Sequence, residues 1–367
     1  MLRMALGHGF WGEVMDRSEL AGAVDVVIPM RDGAATIQRT LATVHAQTLQ
    51  PHRIIIVDDG STDAGAELVR DLPLVEVIST AARGVSHARN VGIGAARAEF
   101  IAFLDADDLW RSDKLERQMM VAQNHPEAAL ITCDLISVDP HGDRPRSPRS
   151  RIRYAGHVGE QILHDCLRMY GWSSSMLVRR SALIASGGYD EALNFFEDAD
   201  ICLRLVHGHA LAFSPELLAF VVENPKSVTR RPRSLEQQLT VTLQVLSVLE
   251  KWIDRTSDPV SLERAASRAI LYQFVQKSLN GRRLLAFRRE VALRVPRLAR
   301  RIARNDVQFF IKLGMTALRT IGPHLGRRLI RGYAMVGGWI SWSSAVPPAP
   351  RFSEAVSYRP SKRQARQ

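Results

Sequence analysis

Residues 23–63 read AVDVVIPMRDGAATIQRTLATVHAQTLQPHRIIIVDDGSTD, two short β-rich apolar runs around a segment of helical spacing. The first run stops at a proline. Ile37, Leu41, Val44 and Leu49 then recur near the helical period, and RIIIVDD closes the unit. Strand, helix, strand is the economical reading, and it sets the fold class as α/β.

Outward from that unit the alternation continues. Residues 64–72, AGAELVRDL, predict a helix; VEVIS at 75–79 a strand; GVSHARNVGIGAAR at 84–97 a helix. FIAFLDADD at 100–108 is an apolar strand running straight into three carboxylates. Residues 109–126 predict a helix stopped by proline, and AALITCDLISVD at 128–139 a further strand. Residues 140–153 are rich in Arg, Ser and Pro and read as a loop. GWSSSMLVRRSALIASGGYDEAL then offers a strand, a short helix and a glycine turn. NFFEDADICLRLVHGHALAF places Glu197, Asp198 and Asp200 at the start of a helix. Such a series fits a mostly parallel sheet covered on both faces.

Composition bounds the function. A chain of 367 residues, 46% hydrophobic, can bury one large core and a smaller one. Cys133, Cys166 and Cys202 lie far apart without CxxC spacing, so neither a disulfide scaffold nor a zinc cluster is indicated. No apolar run reaches 18 residues and the first 24 lack signal-peptide order. The expectation is a cytoplasmic protein, with peripheral attachment at the inner face of the membrane left open.

Charge is unevenly spread. The chain carries a formal net charge of +11, yet the first 224 residues hold 21 Lys and Arg against 30 Asp and Glu, and the remainder 28 against 8. That divides an acidic α/β domain, 23–229, from a basic helical region, 230–345, flanked by an N-terminal extension, 1–22, and a tail, 346–367, expected to be disordered. The stretch 282–313 interleaves arginine with apolar residues; it suits an anionic membrane surface, or a solvated face of its own domain. No nucleic-acid partner is expected, because these arginines belong to no RNA- or DNA-binding module.

In open α/β sheets ligands collect beyond the carboxyl ends of strands. Asp58, Asp59, Asp105 and Asp107 all follow such ends. Each has a plainer alternative, since aspartate also caps turns and helices.

Taken together, VVIPMRDGAATIQRTLATVHAQTLQPHRIIIVDDGSTDAG, ARGVSHARNVGIGAARAEFIAFLDADD and GGYDEALNFFEDADICLRL resemble the inverting glycosyltransferases of family 2, which have the GT-A fold, a Rossmann-like sheet with flanking helices. The likeness covers about residues 23–229. It implies that Asp59 of DDGS reads the nucleobase, with Asp58 and the backbone around Pro29 in the same pocket. Arg89 would meet the diphosphate or, alternatively, pair internally with a local aspartate; His87 is read as structural. Asp105 would lie by the ribose and Asp107 would bind Mg²⁺ or Mn²⁺, with Asp108 capping the next helix or orienting a neighbour. Asp198 would be the general base, with Glu197 and Asp200 orienting it or capping the helix.

The resemblance therefore implies non-processive, inverting transfer from a UDP- or dTDP-linked sugar to a hydroxyl of a cell-envelope glycan or lipid-linked acceptor. The QxxRW pattern of processive synthases is absent. Two departures stand out. PMRD at 29–32 replaces the family's PVYN, so Arg31 either pairs with phosphate or is a surface charge; and VVENPKSVT carries Asn224 where a histidine is expected. Glu223, Lys226 or water would then support the metal, and a noncatalytic GT-A protein that binds a glycan or partner is the alternative function.

Overall fold

Every residue of β1 (Val24–Met30) is buried, so the strand must be covered on both faces. The structure, a computed structural model, describes residues 23–141, 156, 172–223, 235–252, 254–255, 289 and 291–302. The expectations for residues 1–22, 142–153 and 346–367, for Asn224 and Lys226, and for most of 282–313 lie outside them.

From β1 the chain passes through α1 (Ile37–His45) to β2 (Arg53–Asp59), β3 (Val75–Thr80), α2 (Val85–Ala95) and β4 (Phe100–Phe103). A two-residue strand, β5 (Leu109–Trp110), precedes α3 (Lys114–Asn124) and β6 (Ala128–Val138). A short helix, α4 (Trp172–Ser175), leads into β7 (Leu177–Arg179) and α5 (Arg180–Ala185). The helix α6 (Glu197–Gly208) and the long strand β8 (Ala210–Val222) follow, then α7 (Leu235–Lys251) and α8 (Pro296–Ile302).

All eight strands form one sheet in the order β3-β2-β1-β4-β7-β6-β8-β5. The first four run parallel; β7 is antiparallel to both β4 and β6, β8 is parallel to β6, and β5 is antiparallel to β8. The sheet is mostly parallel, as expected, and mixed: β7, between β4 and β6, and β5, at one edge, run against the other six strands. The register aligns Met30 with Asp58 and Asp59 with Thr80. The acidic turns after β1, β2 and β4 consequently open on the same edge of the sheet.

Strand alternation sorts the core into two layers. Val26, Ile28, Ile54 and Ile56 pack with Ile37 and Leu41 of α1 and Leu115 and Met119 of α3. Val27, Ile55 and Val57 pack the other way, in the layer that holds Ala88 and Ile93 of α2 and Ile201 and Leu205 of α6. Leu246, Leu249 and Trp252, at the expected start of the helical region, belong to this second layer, with Val291, Val295 and Leu298.

Two expected helices differ. Residues 64–72 form successive turns, although Ala66 and Val69 bury as a helical face would. With Gly65 near one end and Pro73 at the other, the segment is too short to repay helix nucleation. The helix expected from residue 109 starts instead at Lys114, because Trp110 pairs with Ala219 of β8 and its indole N–H donates to the Ser174 carbonyl at 2.7 Å.

Close approach of α2 to β1 depends on a missing side chain. A Cβ on Gly92 would stand 2.4 Å from Val27 Cγ1, against a strand with neighbours on both sides. Overpacking of this kind costs about 1–3 kcal/mol. Gly92→Ala is therefore expected to lower the urea midpoint without changing the slope; an unchanged midpoint would mean that α2 can shift freely.

Candidate active site

The turn after β2 is built from its own carboxylates. Asp58, buried, accepts the Ser61 N–H at 3.0 Å. Asp59, 3% exposed, accepts the Arg83 and Gly84 N–H groups, one on each oxygen, both at 2.8 Å. Gly84 immediately precedes α2 with φ of 104°, a conformation that favours glycine. Both aspartates therefore carry turn-forming bonds, the plainer of their two sequence readings. Carboxylate oxygens accept more than one hydrogen bond each, so Asp59 keeps capacity for another donor.

The neighbouring turn after β1 is stitched to it. Asp32, at φ 51°, receives the Thr62 N–H at 2.8 Å and gives its own N–H to Ser61 Oγ at 2.9 Å. Asp63 accepts the Ala34 and Gly65 N–H groups at 2.8 and 3.0 Å. The Thr62 backbone bond, chiefly, holds the Asp32 carboxyl below its usual range. Arg31 beside it is exposed, and Pro29 is buried within β1 opposite Val57.

Beyond β4 the three carboxylates separate sharply. Asp105 is 35% exposed on its side chain and accepts Arg89 Nη2 at 2.9 Å. Asp107 is half-buried. Asp108 points inward, accepting the Ser174 hydroxyl at 2.5 Å and the Val222 N–H at 3.1 Å. Burial, then the charges of Asp107 and Asp105, push its carboxyl well above the usual range. Of the two readings of Asp108, the helix cap is corrected here, since Leu109 enters a strand; the carboxyl instead orients its neighbours, tying the turn to α4 and β8.

Ser174 is a residue the sequence reading missed. Its Oγ also accepts the Asp105 N–H at 3.2 Å, so one hydroxyl braces both ends of the turn. Beneath lies Lys114, fully buried, its Nζ 2.6 Å from Gln118 Oε1 and 4.0 Å from the centre of the Trp110 ring. Burial pushes this ammonium down to about 8. Three consecutive serines, 173–175, were the visible signal, but nothing in a hydroxyl side chain announces that all three are buried.

The third part is the start of α6. Phe196, immediately before it, sits at φ 68°, a strained setting for a bulky residue. Glu197 accepts Arg89 Nη1 at 2.9 Å. Of the two readings of Arg89, the structure holds the internal ion pair: the side chain is 3% exposed, with both terminal nitrogens on carboxylates. Its guanidinium lies 5.1 Å from the centre of the Tyr189 ring, another contact the sequence did not reveal. His87 contacts Glu191 at 3.2 Å, in keeping with a structural role.

Asp198 is half-buried, and its Oδ1 accepts the Ala199 N–H at 2.8 Å. Burial first, and the Glu197 charge second, push its carboxyl up to about 7. Asp200 has a different job: fully buried, it takes Arg204 at 2.7 and 2.9 Å and lies 3.5 Å from Lys251 of α7.

Among the described residues no three His, Cys, Asp or Glu side chains are grouped to hold a metal ion. A dedicated protein cage is not what Mg²⁺ or Mn²⁺ beside phosphates requires, since one or two carboxylates suffice. Asp107, a half-buried carboxylate two residues from Asp105, fits that smaller requirement.

This sheet, with acidic turns beyond β2 and β4, defines a GT-A-type, Rossmann-like domain. Residues 25–186 match the Glycosyl transferase family 2 model. The chain is 29% identical over 214 residues to a Pre-mycofactocin glycosyltransferase of Mycobacterium tuberculosis, covering 56% of this chain and 44% of that one. It thus spans less than half that relative's length. It is 28% identical over 203 residues to Amylovoran biosynthesis glycosyltransferase AmsE of Erwinia amylovora, covering 53% and 73% of the two chains. The fold resembles that of S. aureus TarS 1-349, crystallised with UDP-GlcNAc, at a TM-score of 0.58 and 16% identity over 85% of this chain and 90% of that chain.

The raised Asp198 carboxyl has a stability consequence. Its folded value of about 7 exceeds the ordinary 3.8, so the folded state holds this proton more tightly than the unfolded one. The resulting penalty is absent below pH 3.8, grows to about pH 7 and is complete above it. Asp198→Asn keeps an acceptor for the Ala199 N–H and removes the charge. Its melting temperature is expected to exceed wild type at pH 8, with the gap closing towards pH 4. A gap independent of pH would show that the carboxyl is not held against ionisation.

Proposed function

We propose that the protein transfers single sugars, with inversion, from a uridine or thymidine diphosphate sugar to a hydroxyl of a cell-envelope glycan or lipid-linked acceptor. The observation that carries this reading is that one guanidinium, Arg89, spans from Asp105 in the turn after β4 to Glu197 beside Asp198. A donor-side carboxylate and the candidate base thus lie within the reach of one side chain. The names of the relatives support a biosynthetic acceptor, and the UDP-GlcNAc bound to TarS makes uridine sugars the first donors to try.

On the donor side, Asp59 accepts the N–H of a uracil or thymine imide, with Asp58 and the Pro29 backbone completing the pocket and Asp105 at the ribose. An imide donor left unmet in a buried pocket is costly, which makes Asp59 a specificity element. Asp107 is the carboxylate that would hold Mg²⁺ or Mn²⁺. When bound, the cation offsets the negative charge of the leaving diphosphate.

On the acceptor side, Asp198 takes the hydroxyl proton as that oxygen attacks the anomeric carbon on the face opposite the diphosphate. A carboxyl near 7 is well placed for this, because base strength and ionised fraction are both substantial at neutral pH. Among the described residues no helix is long and apolar enough to cross a membrane. The exposed Arg289, Arg294, Arg297 and Arg300 support contact with an anionic surface where lipid-linked acceptors reside.

A panel of nucleotide sugars assayed with Mn²⁺, Mg²⁺ or chelator tests the reading. Metal-dependent release of UDP or dTDP is expected, lost in Asp107→Ala and reduced about 100- to 10,000-fold in Asp198→Ala. Equal activity in chelator would remove Asp107 from its role, and binding without turnover across the panel would favour a noncatalytic glycan-binding protein. Turnover is also expected to rise with pH through about 7, since the base works only when ionised, and then to level off.

A further inference from the structure

Both terminal nitrogens of Arg89 are held by carboxylates, while its buried Nε makes no hydrogen bond among the described residues. Its Nη1 lies 2.9 Å from Glu197 Oε1, its Nη2 2.9 Å from Asp105 Oδ1, and the Tyr189 ring stands beside it at 5.1 Å. Tyr189 is fixed in turn, edge-on to Phe103 at 5.5 Å, with its backbone bonded on both sides to the Asn90 side chain at 2.7 and 2.9 Å. Gly188 must be glycine for that clasp, because a Cβ there would stand 2.6 Å from Asn90 Oδ1. So buried a guanidinium, joining two separate segments, is a spacer of set length.

Among the described residues, the groups that act most strongly on Asp198 are Glu197 on its own helix, Arg89 from α2 and Asp105 from the turn after β4, with the Tyr189 phenol from the turn before α6 also within reach. Arg89 is the only cation among them. We propose that Arg89 is a positioning residue of the transfer reaction: it sets the distance between the donor turn and the base helix, and compensates Glu197 so that Asp198 ionises beside a neutralised partner.

Two properties of arginine are needed, its charge and its fork. Lysine supplies the charge, but its three donors radiate from one nitrogen and do not reproduce the separation of the two arms of the planar fork. The proposal rests on Asp198 being the base, so its test includes a readout that needs no turnover. Carbodiimide-driven coupling of glycine ethyl ester to Asp198, followed by peptide mass spectrometry across pH, reports the protonated carboxyl in the full-length protein.

In Arg89→Met the labelling midpoint is expected to move up by about one pH unit, because Glu197 is left uncompensated. The Arg89→Met/Glu197→Gln double variant should bring it back. Arg89→Lys should keep the wild-type midpoint while kcat for UDP-GlcNAc hydrolysis in Mn²⁺ falls about 100-fold and KM stays within about threefold, the signature of misplaced groups. A midpoint unmoved in Arg89→Met, alongside lowered thermal stability, would overturn the proposal and leave Arg89 a packing residue. If Arg89→Met does not fold, Arg89→Lys decides: wild-type kcat in that variant overturns the spacer. Wild-type protein that hydrolyses no UDP-GlcNAc would count against the donor reading of the preceding section, and the labelling midpoints then decide Arg89 alone.

Discussion

A guanidinium with 3% of its side chain exposed survives only where carboxylates meet it. That requirement organises this domain. Arg89 needs Asp105, in the turn after β4, and Glu197, on a helix that starts 108 residues after Arg89 itself. Neither acidic residue is close to the other in sequence, so the pairing forms only once the sheet is complete. Removing either partner would strand a buried charge, a loss larger than the pair's own net contribution.

The remaining acidic residues around the sheet edge do a second kind of work. Asp58, Asp59 and Asp63 gather backbone N–H groups from turns that have no ladder to join, and Asp32 does the same across two strands' ends. Positive φ values at Asp32 and Phe196 are tolerated because these bonds and the packing around α6 over-determine the local path. The result is an edge whose polar groups are oriented before any substrate arrives. Preorganisation of this sort spares the reorganisation that water would need when charge develops.

Much of this was legible in the sequence, for identifiable reasons. Fully buried parallel strands write themselves as unbroken apolar runs, so Ile54, Ile55, Ile56 and Val57 were recognisable at once. The acidic turns were recognisable because they interrupt such runs. What escaped was decided at long range. Leu109 and Trp110 resemble the start of the helix that follows, and only pairing with β8 makes them a strand. Asp105, Asp107 and Asp108 are chemically identical in the sequence; Ser174 and Val222, far along the chain, turn the last of them inward. Tyr189 and Ser174 gave no local sign of their contacts, since an aromatic ring or a hydroxyl suits many places.

The helix α7 lies beyond the point where charge composition changes, yet its apolar side fills the same layer as α6. Lys251 at its end reaches both Asp190 and Asp200, and Glu250 accepts the Arg297 and Leu298 N–H groups at 2.9 and 2.6 Å. The helix α7 is therefore no interchangeable appendage. Replacing α7 by a helix of different sequence would remove the Lys251 contacts with Asp190 and Asp200, so the composition of α7 is tied to the carboxylates at and before the start of α6.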